Sequence, residues 1–450
     1  MASKGFREFL DDLDSVGELR KITKPVDCRQ LSALGEQAPE ATIFENIKDY
    51  PGWRVATALV STRKRLGVAM GCDEKRIAFE FEKKSAQPIE PLIVTKGACQ
   101  EVILEGDEVD LTTIPLPMMH LFDGGPYISG TFAISKDPEF GLNVGCYRLM
   151  YRSPRETGID LVSPSDMRFY YQRAFDQGKP LPIAIAIGVH PLDMLAASYK
   201  APIDTNELAL AGGLRGEALK MVKCQTVDLE VPADAEMILE GELLPIGWTA
   251  DEGPFGEFSQ ISGDVKWNPI FRIKCITHRK NPIFYMLQMP WENDWLAAPV
   301  TEAAGLQALR VASVQPVDIK APIGGCGFWS LIASIRKRPG EGKNAVAALL
   351  SVAEVKHVIV TDDDINIHDP DDLDWAIAFR VQADRDAIIL EGARAKHIDP
   401  SVMSWTLGKG GLPTTAKLGI DATIPEGVPP ILYRRIKNYG RDKFKLEDFE

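Results

Sequence analysis

The hydrophobic pattern of this 450-residue chain changes character twice, and those two changes limit its architecture more than any single residue does. Residues 4–22 predict an amphipathic helix, with Phe6, Phe9, Leu10, Leu13 and Val16 recurring at helical spacing. A mixed α/β stretch follows to about residue 95. From there to about residue 300 the chain is strand-rich, cut by Pro, Gly and Asp turns. Strands are predicted at Glu101–Leu104, Ile128–Ile134, Leu142–Tyr151, Pro182–Val189, Gln225–Val231, Glu236–Leu244, Phe271–Thr277 and Pro282–Gln288. Helices over Ser165–Gln177 and Asn206–Val222 interrupt them. So dense a run of strands calls for a barrel or a folded sheet. Beyond residue 300, helices at Thr301–Ser313, Lys343–Ala353 and Asp371–Val381 alternate with strands at His357–Thr361 and Asp386–Glu391. Alternation of that kind predicts an α/β domain with parallel pairing. The fold class is therefore mixed α/β.

Bulk properties exclude several functions. A net charge of -13 and a pI near 5.1 disfavour nucleic acid or an anionic membrane surface as partner. Apolar residues at 45% and charged residues at 26% suit a soluble globular protein, and no apolar run reaches the length of a membrane span. Seven cysteines lie scattered without a CxxC pair or zinc spacing, which fits reduced, mostly buried thiols in a cytoplasmic protein. The six histidines stand alone, with no HExxH or HxH pair. Gly324-Gly325-Cys326-Gly327 and the loop Gly408–Gly411 match no nucleotide fingerprint, and no G-x-S-x-G elbow occurs.

Chemistry concentrates in a few places. Glu252-Gly253-Pro254-Phe255-Gly256-Glu257 sets two carboxylates across a turn that Gly253 and Gly256 permit and Pro254 stiffens. Such a turn can hold two carboxyl groups in different environments, and so in different roles; its plainer reading is a solvated acidic loop. Within Asn143-Val-Gly-Cys-Tyr-Arg148, regular alternation would place Asn143, Gly145 and Tyr147 on one face and Val144, Cys146 and Arg148 on the other. An amide oxygen can ligate a hard cation and a guanidinium can clamp a carboxylate, or the two are a strand Asn and a surface ion pair. Glu207 opens a helix after Asp204-Thr205-Asn206 and is either a metal ligand or a capping carboxylate. Asp362-Asp363-Asp364 after a strand fits a magnesium site or, with Asp369-Pro370-Asp371, a helix start.

Taken in order, these segments resemble the UbiD family of prenylated-flavin-dependent (de)carboxylases. The resemblance runs nearly end to end. It is carried by Asp123-Gly-Gly-Pro-Tyr127, Asn143 to Arg148, Gly178-Lys-Pro180, Ile185-Ala-Ile-Gly188, Glu207 with Leu214-Arg-Gly216, and Met221-Val-Lys-Cys224. Val231-Pro232, Ala235-Glu236, Glu252 to Glu257, Thr361 to Asp364 and Lys417 to Asp421 complete it.

The resemblance implies an N-terminal α/β region over 1–108, a split β-barrel binding prenylated FMN over 109–300, and a C-terminal α/β dimerisation domain over 301–450 that can act as a lid. It implies reversible decarboxylation of an unsaturated, aromatic or heteroaromatic acid, with Arg148 and Glu252 holding the substrate carboxylate and Glu257 protonating the carbon left by carbon dioxide. It also implies Mn2+ or Mg2+ and K+ (or Na+) beside the cofactor phosphate, with Asn143 and Glu207 as divalent ligands. The family's third ligand, a His, falls on Asp166, a departure that keeps an all-oxygen set. Val144, Gly145, Ser165, Ser198, Tyr199, Lys200 and Lys417 would line the cofactor. A flavin prenyltransferase would supply the cofactor, and the chain would assemble as a homodimer or hexamer. Met286, Gln288, Met289, Trp291 and Trp295, with Glu292, Asn293 and Leu296, are the candidate pocket wall, core packing being the alternative. A non-catalytic or maturation subunit that kept the fold is the rival reading, and a flavin reductase a weaker one.

Overall fold

The computed structural model describes residues 5–199, 205–396, 398–402, 414–436, 438–440 and 443–449. It contains two compact units: residues 1–306 with 321–330 and 396–401, and residues 307–320 with 331–395 and 402–450. No described helix is long and apolar enough to cross a membrane.

The first helix, Phe6–Ser15, buries Phe6, Phe9, Leu10 and Leu13. At about 1.5–3 kcal/mol for each such side chain removed from water, this face alone anchors the N-terminus. The helix is shorter than predicted because Gly17 turns the chain at φ +72. Leu19–Ile22 is instead a strand, parallel to Ala41–Phe44. That four-stranded sheet continues through Arg54–Thr57 to Ile283–Met286, so the last strand predicted for the central region joins the N-terminal sheet.

The central sheet runs, in spatial order, Tyr127–Ile128, Leu149–Ser153, Glu156–Ile159, Ile270–His278, Met237–Leu243, Leu181–Ile187, Thr131–Asp137 and Gly141–Gly145. Val102–Glu105 pairs on the side with Ile270–His278. Every pairing within it is antiparallel. Two predicted strands are each divided. Ile128–Ile134 breaks at Ser129-Gly130, and Leu142–Tyr151 breaks at Cys146-Tyr147-Arg148. The alternation expected from Asn143 to Arg148 therefore stops at Gly145, and Arg148 projects from a connection. The helix predicted over Asn206–Val222 ends at Arg215, because Gly216 adopts a left-handed cap; Lys220–Lys223 is a strand that pairs with Glu230–Pro232.

The helix predicted from Thr301 begins at Trp291, ten positions earlier, since Pro299 lies inside it and breaks the pattern by which helices are recognised. The second unit holds a five-stranded sheet in the order Gln315–Lys320, Ser330–Arg336, His357–Asp362, Thr414–Asp421, Ala387–Arg394. Its pairing is mixed rather than parallel. His357–Asp362 runs parallel to Thr414–Asp421, but Ala387–Arg394 is antiparallel to it and Gln315–Lys320 is antiparallel to Ser330–Arg336. The hairpin between the last two, turned at Ile323–Gly325, escaped the sequence reading.

Candidate active site

Arg148 gathers the two ends of the acidic turn. Its Nε donates to Glu252 Oε1 at 2.9 Å and its Nη2 to Glu252 Oε2 at 3.0 Å, a bidentate pair. Nη1 donates to Glu257 Oε1 at 2.8 Å. Asp160 approaches Nη2 at 3.1 Å and Lys266 approaches Glu257 Oε1 at 3.7 Å. Burial opposes the charge on Arg148, yet Glu252, Asp160 and Glu257 together hold the guanidinium protonated well above its ordinary value. The Phe255 ring, 4.7 Å from the guanidinium carbon, covers one face of it. Glu252 is fully buried and Glu257 nearly so.

The turn is held from behind by the Asp123–Tyr127 segment. Gly124 N–H donates to the Pro254 carbonyl at 2.8 Å, and Gly256 N–H donates to Asp123 Oδ1 at 2.8 Å. Tyr127 packs its ring 4.4 Å from that of Phe255. A Cβ on Gly124 would lie 2.2 Å from the Gly253 carbonyl oxygen, so only glycine lets the two backbones approach. A cavity of about 270 Å³ opens beside Glu257, and Glu36, His120, Asp123, Gln260 and Trp291 share its wall.

A second buried cluster is built differently. The strand Gly141–Gly145 packs against both the helix Asp166–Asp176 and the helix Glu207–Arg215. Asn143 Oδ1 and Glu207 Oε2 are buried and accept no hydrogen bond among the described residues. Burial lifts the Glu207 carboxyl to about 7, with the nearby Asp166 carboxylate adding to the effect. Asp166 is itself raised by burial. Neither acid is a helix cap. Ser165 Oγ accepts from Arg168 N–H, and Asn206 Oδ1 accepts from Leu208 and Ala209 N–H. No three His, Cys, Asp or Glu side chains cluster as a metal site among the described residues; Asp166 is near enough to Glu207 to raise its carboxyl, and Asn143 stands on the strand that packs against both helices. Asn143 Oδ1 and Glu207 Oε2, hard oxygens without a donor among the described residues, fit a divalent cation.

The remaining expected residues divide. Val144 and Gly145 end the strand beside this cluster, and Ser198 Oγ, 3.9 Å from Cys146 Sγ, donates to the Met194 carbonyl. Tyr199 stacks its ring 5.9 Å from Phe81; Lys200 and the loop Gly408–Gly411 lie outside the described residues. Lys417 is corrected: its Nζ donates to the Leu350 and Val352 carbonyls at 2.7 and 3.3 Å, ending the helix Glu341–Leu350. The aspartates after His357–Asp362 are structural, since Asp364 and Asp362 pair with the buried Arg380 at 2.6 and 3.4 Å.

Of the expected pocket wall, Trp291 lines the cavity. Met286 is corrected to core, being fully buried in the N-terminal sheet. Gln288 is corrected likewise: its Nε2 donates to Ser32 Oγ at 3.2 Å and its Oε1 accepts from Thr57 Oγ1 at 3.3 Å. Met289 contributes its carbonyl, 3.2 Å from His120 Nε2, while Trp295 packs on the core. Glu292 is an anchor, accepting the Ala58, Val60 and Gln288 N–H groups and the Tyr285 hydroxyl. The sequence reading missed His120, whose spacing of three from Asp123 was the available signal.

Comparison with known proteins agrees along the whole chain. Residues 10–84, 92–290 and 294–422 match the N-terminal, Rift-related and C-terminal domains of the 3-octaprenyl-4-hydroxybenzoate carboxy-lyase (UbiD) family. The anhydromevalonate phosphate decarboxylase of Methanothermobacter thermautotrophicus is 31% identical over 428 residues, covering 93% of this chain and 96% of that one. The UbiD-class enzyme HmfF from Pelotomaculum thermopropionicum, solved with FMN, is 35% identical with a TM-score of 0.92, covering 99% of this chain and 100% of that one. The 3,4-dihydroxybenzoic acid decarboxylase AroY of Klebsiella pneumoniae is 27% identical with a TM-score of 0.89, covering 99% of each chain.

Proposed function

This chain belongs to the UbiD family of carboxy-lyases, and from that premise we propose that it decarboxylates, reversibly and without net oxidation, an aromatic, heteroaromatic or other α,β-unsaturated carboxylic acid. It is a decarboxylase of the flavin-using class, as are its structural relatives. The observation that carries the mechanistic reading is the single guanidinium shared by Glu252 and Glu257.

Arg148, held in place by Glu252, orients the substrate carboxylate. Prenylated FMN, when bound, supplies a ring system able to accept the electron pair released as the C–C bond breaks. Glu257, beside the cavity, delivers the proton that forms the new C–H bond as carbon dioxide leaves. The carboxylate left on Glu257 then faces Arg148 and Lys266, which stabilise it until it takes a proton from water. Asn143, Asp166 and Glu207 would hold Mn2+ or Mg2+ against the cofactor phosphate, with K+ (or Na+) near Ser198 and Tyr199. The seven free thiols suit a reducing cytoplasm. A flavin prenyltransferase would supply the cofactor, and a homodimer or hexamer would be the working form.

The test is co-expression with a flavin prenyltransferase, then the absorbance spectrum and intact mass of the released cofactor. A panel of aryl, furoic, pyrrole and acrylic acids should release carbon dioxide from at least one member. A cofactor-loaded protein inactive on all of them, in either direction, would favour the non-catalytic reading.

A further inference from the structure

Asp123 joins the acidic turn to His120. Its Oδ1 accepts the Gly256 N–H at 2.8 Å, and its Oδ2 accepts the His120 backbone N–H at 2.9 Å. The imidazole Nδ1 lies 3.1 Å from Oδ2 and 3.3 Å from Oδ1. On the far side of the ring, Nε2 lies 3.2 Å from the Met289 carbonyl oxygen. Both partners, a carboxylate and a carbonyl, only accept. A neutral imidazole carries one N–H and can serve one of them; an imidazolium serves both. The ring also stands edge-on to Phe255 at 5.6 Å, and a Cβ on Gly256 would fall 2.3 Å from Nδ1. Glycine at 256 thus makes room for this ring.

We propose that His120, as an imidazolium clamped between Asp123 and Met289, is a positioning residue for Glu257. The ring fixes Asp123, Asp123 fixes the Gly256 N–H, and the next residue is Glu257. From there the Glu257 carboxylate reaches Arg148, so its direction is set from both ends. This rests on the reading of Glu257 as proton donor.

The charged groups facing His120 are Asp123, Glu36 and, in the same cavity wall, Glu257. Burial works against the imidazolium, but Asp123, the Met289 carbonyl and Glu36 outweigh it, and the pKa lies above the ordinary 6.5. A raised histidine pKa stabilises the fold fully below the unfolded value, and that contribution is lost as pH rises through the folded value. Above it, the neutral ring must release Asp123 or Met289. The turnover number should therefore fall on the alkaline side with the titration of His120.

The test has two parts. In the full-length protein, an NMR titration should place one imidazole, absent from His120→Gln, above the ordinary midpoint. Asp123→Asn, which still accepts the Gly256 N–H but carries no charge, should lower that midpoint. If His120→Gln does not fold, the wild-type and Asp123→Asn pair carries the test, because only one imidazole should shift between them. In the cofactor-loaded enzyme, His120→Gln should lower kcat on the order of tenfold with KM little changed, and should abolish the alkaline limb. Asp123→Asn should move that limb to lower pH. A His120 midpoint at or below the ordinary value, or His120→Gln with wild-type kcat and an unmoved limb, overturns the proposal. Glu257→Gln separates the two readings: activity there refutes the donor, whereas an inactive Glu257→Gln beside a normal His120→Gln refutes only the positioning role.

Discussion

Asn143 and Arg148 stand in one hexapeptide, yet the buried polar groups they join are opposite in kind. Around Arg148 the donors and acceptors are matched: Glu252 is held bidentately, Glu257 is reached by the remaining arm, and Asn268 Nδ2 adds a contact to Glu252 at 3.4 Å. Around Asn143, by contrast, Asn143 Oδ1 and Glu207 Oε2 are buried with no donor among the described residues. A buried acceptor without a donor costs about 1–3 kcal/mol. The first cluster is therefore matched within the protein, whereas the second keeps acceptors open, as the proposed cation site requires.

The contrast predicts opposite responses to removing one charge, and the largest is expected at Arg148. Arg148→Ala leaves Glu252 and Glu257 buried without their cation and should cost about 3–5 kcal/mol in denaturant melts, with turnover lost. A wild-type melt would break the contrast at its stronger side.

Next is Glu257→Gln, which keeps shape but cannot deliver a proton. We expect a loss of about a hundredfold or more in turnover with cofactor retained, measured by carbon dioxide release against flavin absorbance.

At the open cluster the sign reverses. In metal-free protein Glu207→Gln should stabilise, by about 1 kcal/mol at pH 8. The sign follows from burial, which raises the folded Glu207 carboxyl to about 7. The folded state thus resists ionisation, and the penalty grows as pH rises from the unfolded carboxyl value near 4.5 and is complete above 7. The gain should vanish at acidic pH. Metal analysis of Glu207→Ala and Asn143→Ala should meanwhile show less manganese or magnesium per chain and a paler protein. Full metal and cofactor in both would remove the cation from the comparison.

The smallest effect is expected from a ligand-preserving exchange at the most discriminating position. Asp166→His should keep metal but favour manganese over magnesium, because imidazole suits the softer ion. Asp166→Ala should lose metal and activity together. The capping alternative predicted no change in Asp166→Asn, and Ser165 already fills that cap.

Much of this was legible from local chemistry. Strands such as Leu181–Ile187 and Ile270–His278 lie within two residues of their predicted limits, because buried apolar runs between turn residues leave few alternatives. The helix opened by Ser165 was equally plain. Where prediction failed, a single residue usually decided. Gly17 and Gly216 stopped helices that the apolar pattern would have continued, and Pro299 hid the first turns of one that persists through it.

The candidate site divides along the same line. Which groups are present is written in the sequence alone: Arg148, the two carboxylates of one turn, and the side-chain oxygens of Asn143, Asp166 and Glu207. Only the tertiary structure decided their partners. Arg148 meets Glu252 across 104 positions of chain, and His120 meets Met289 across 169. Lys417 ends a helix, and Met286 and Gln288 enter the N-terminal sheet. The reason is physical: backbone preference is settled within a few residues, whereas burial, charge state and hydrogen bonding depend on whichever distant segment the fold brings within 3 Å or so.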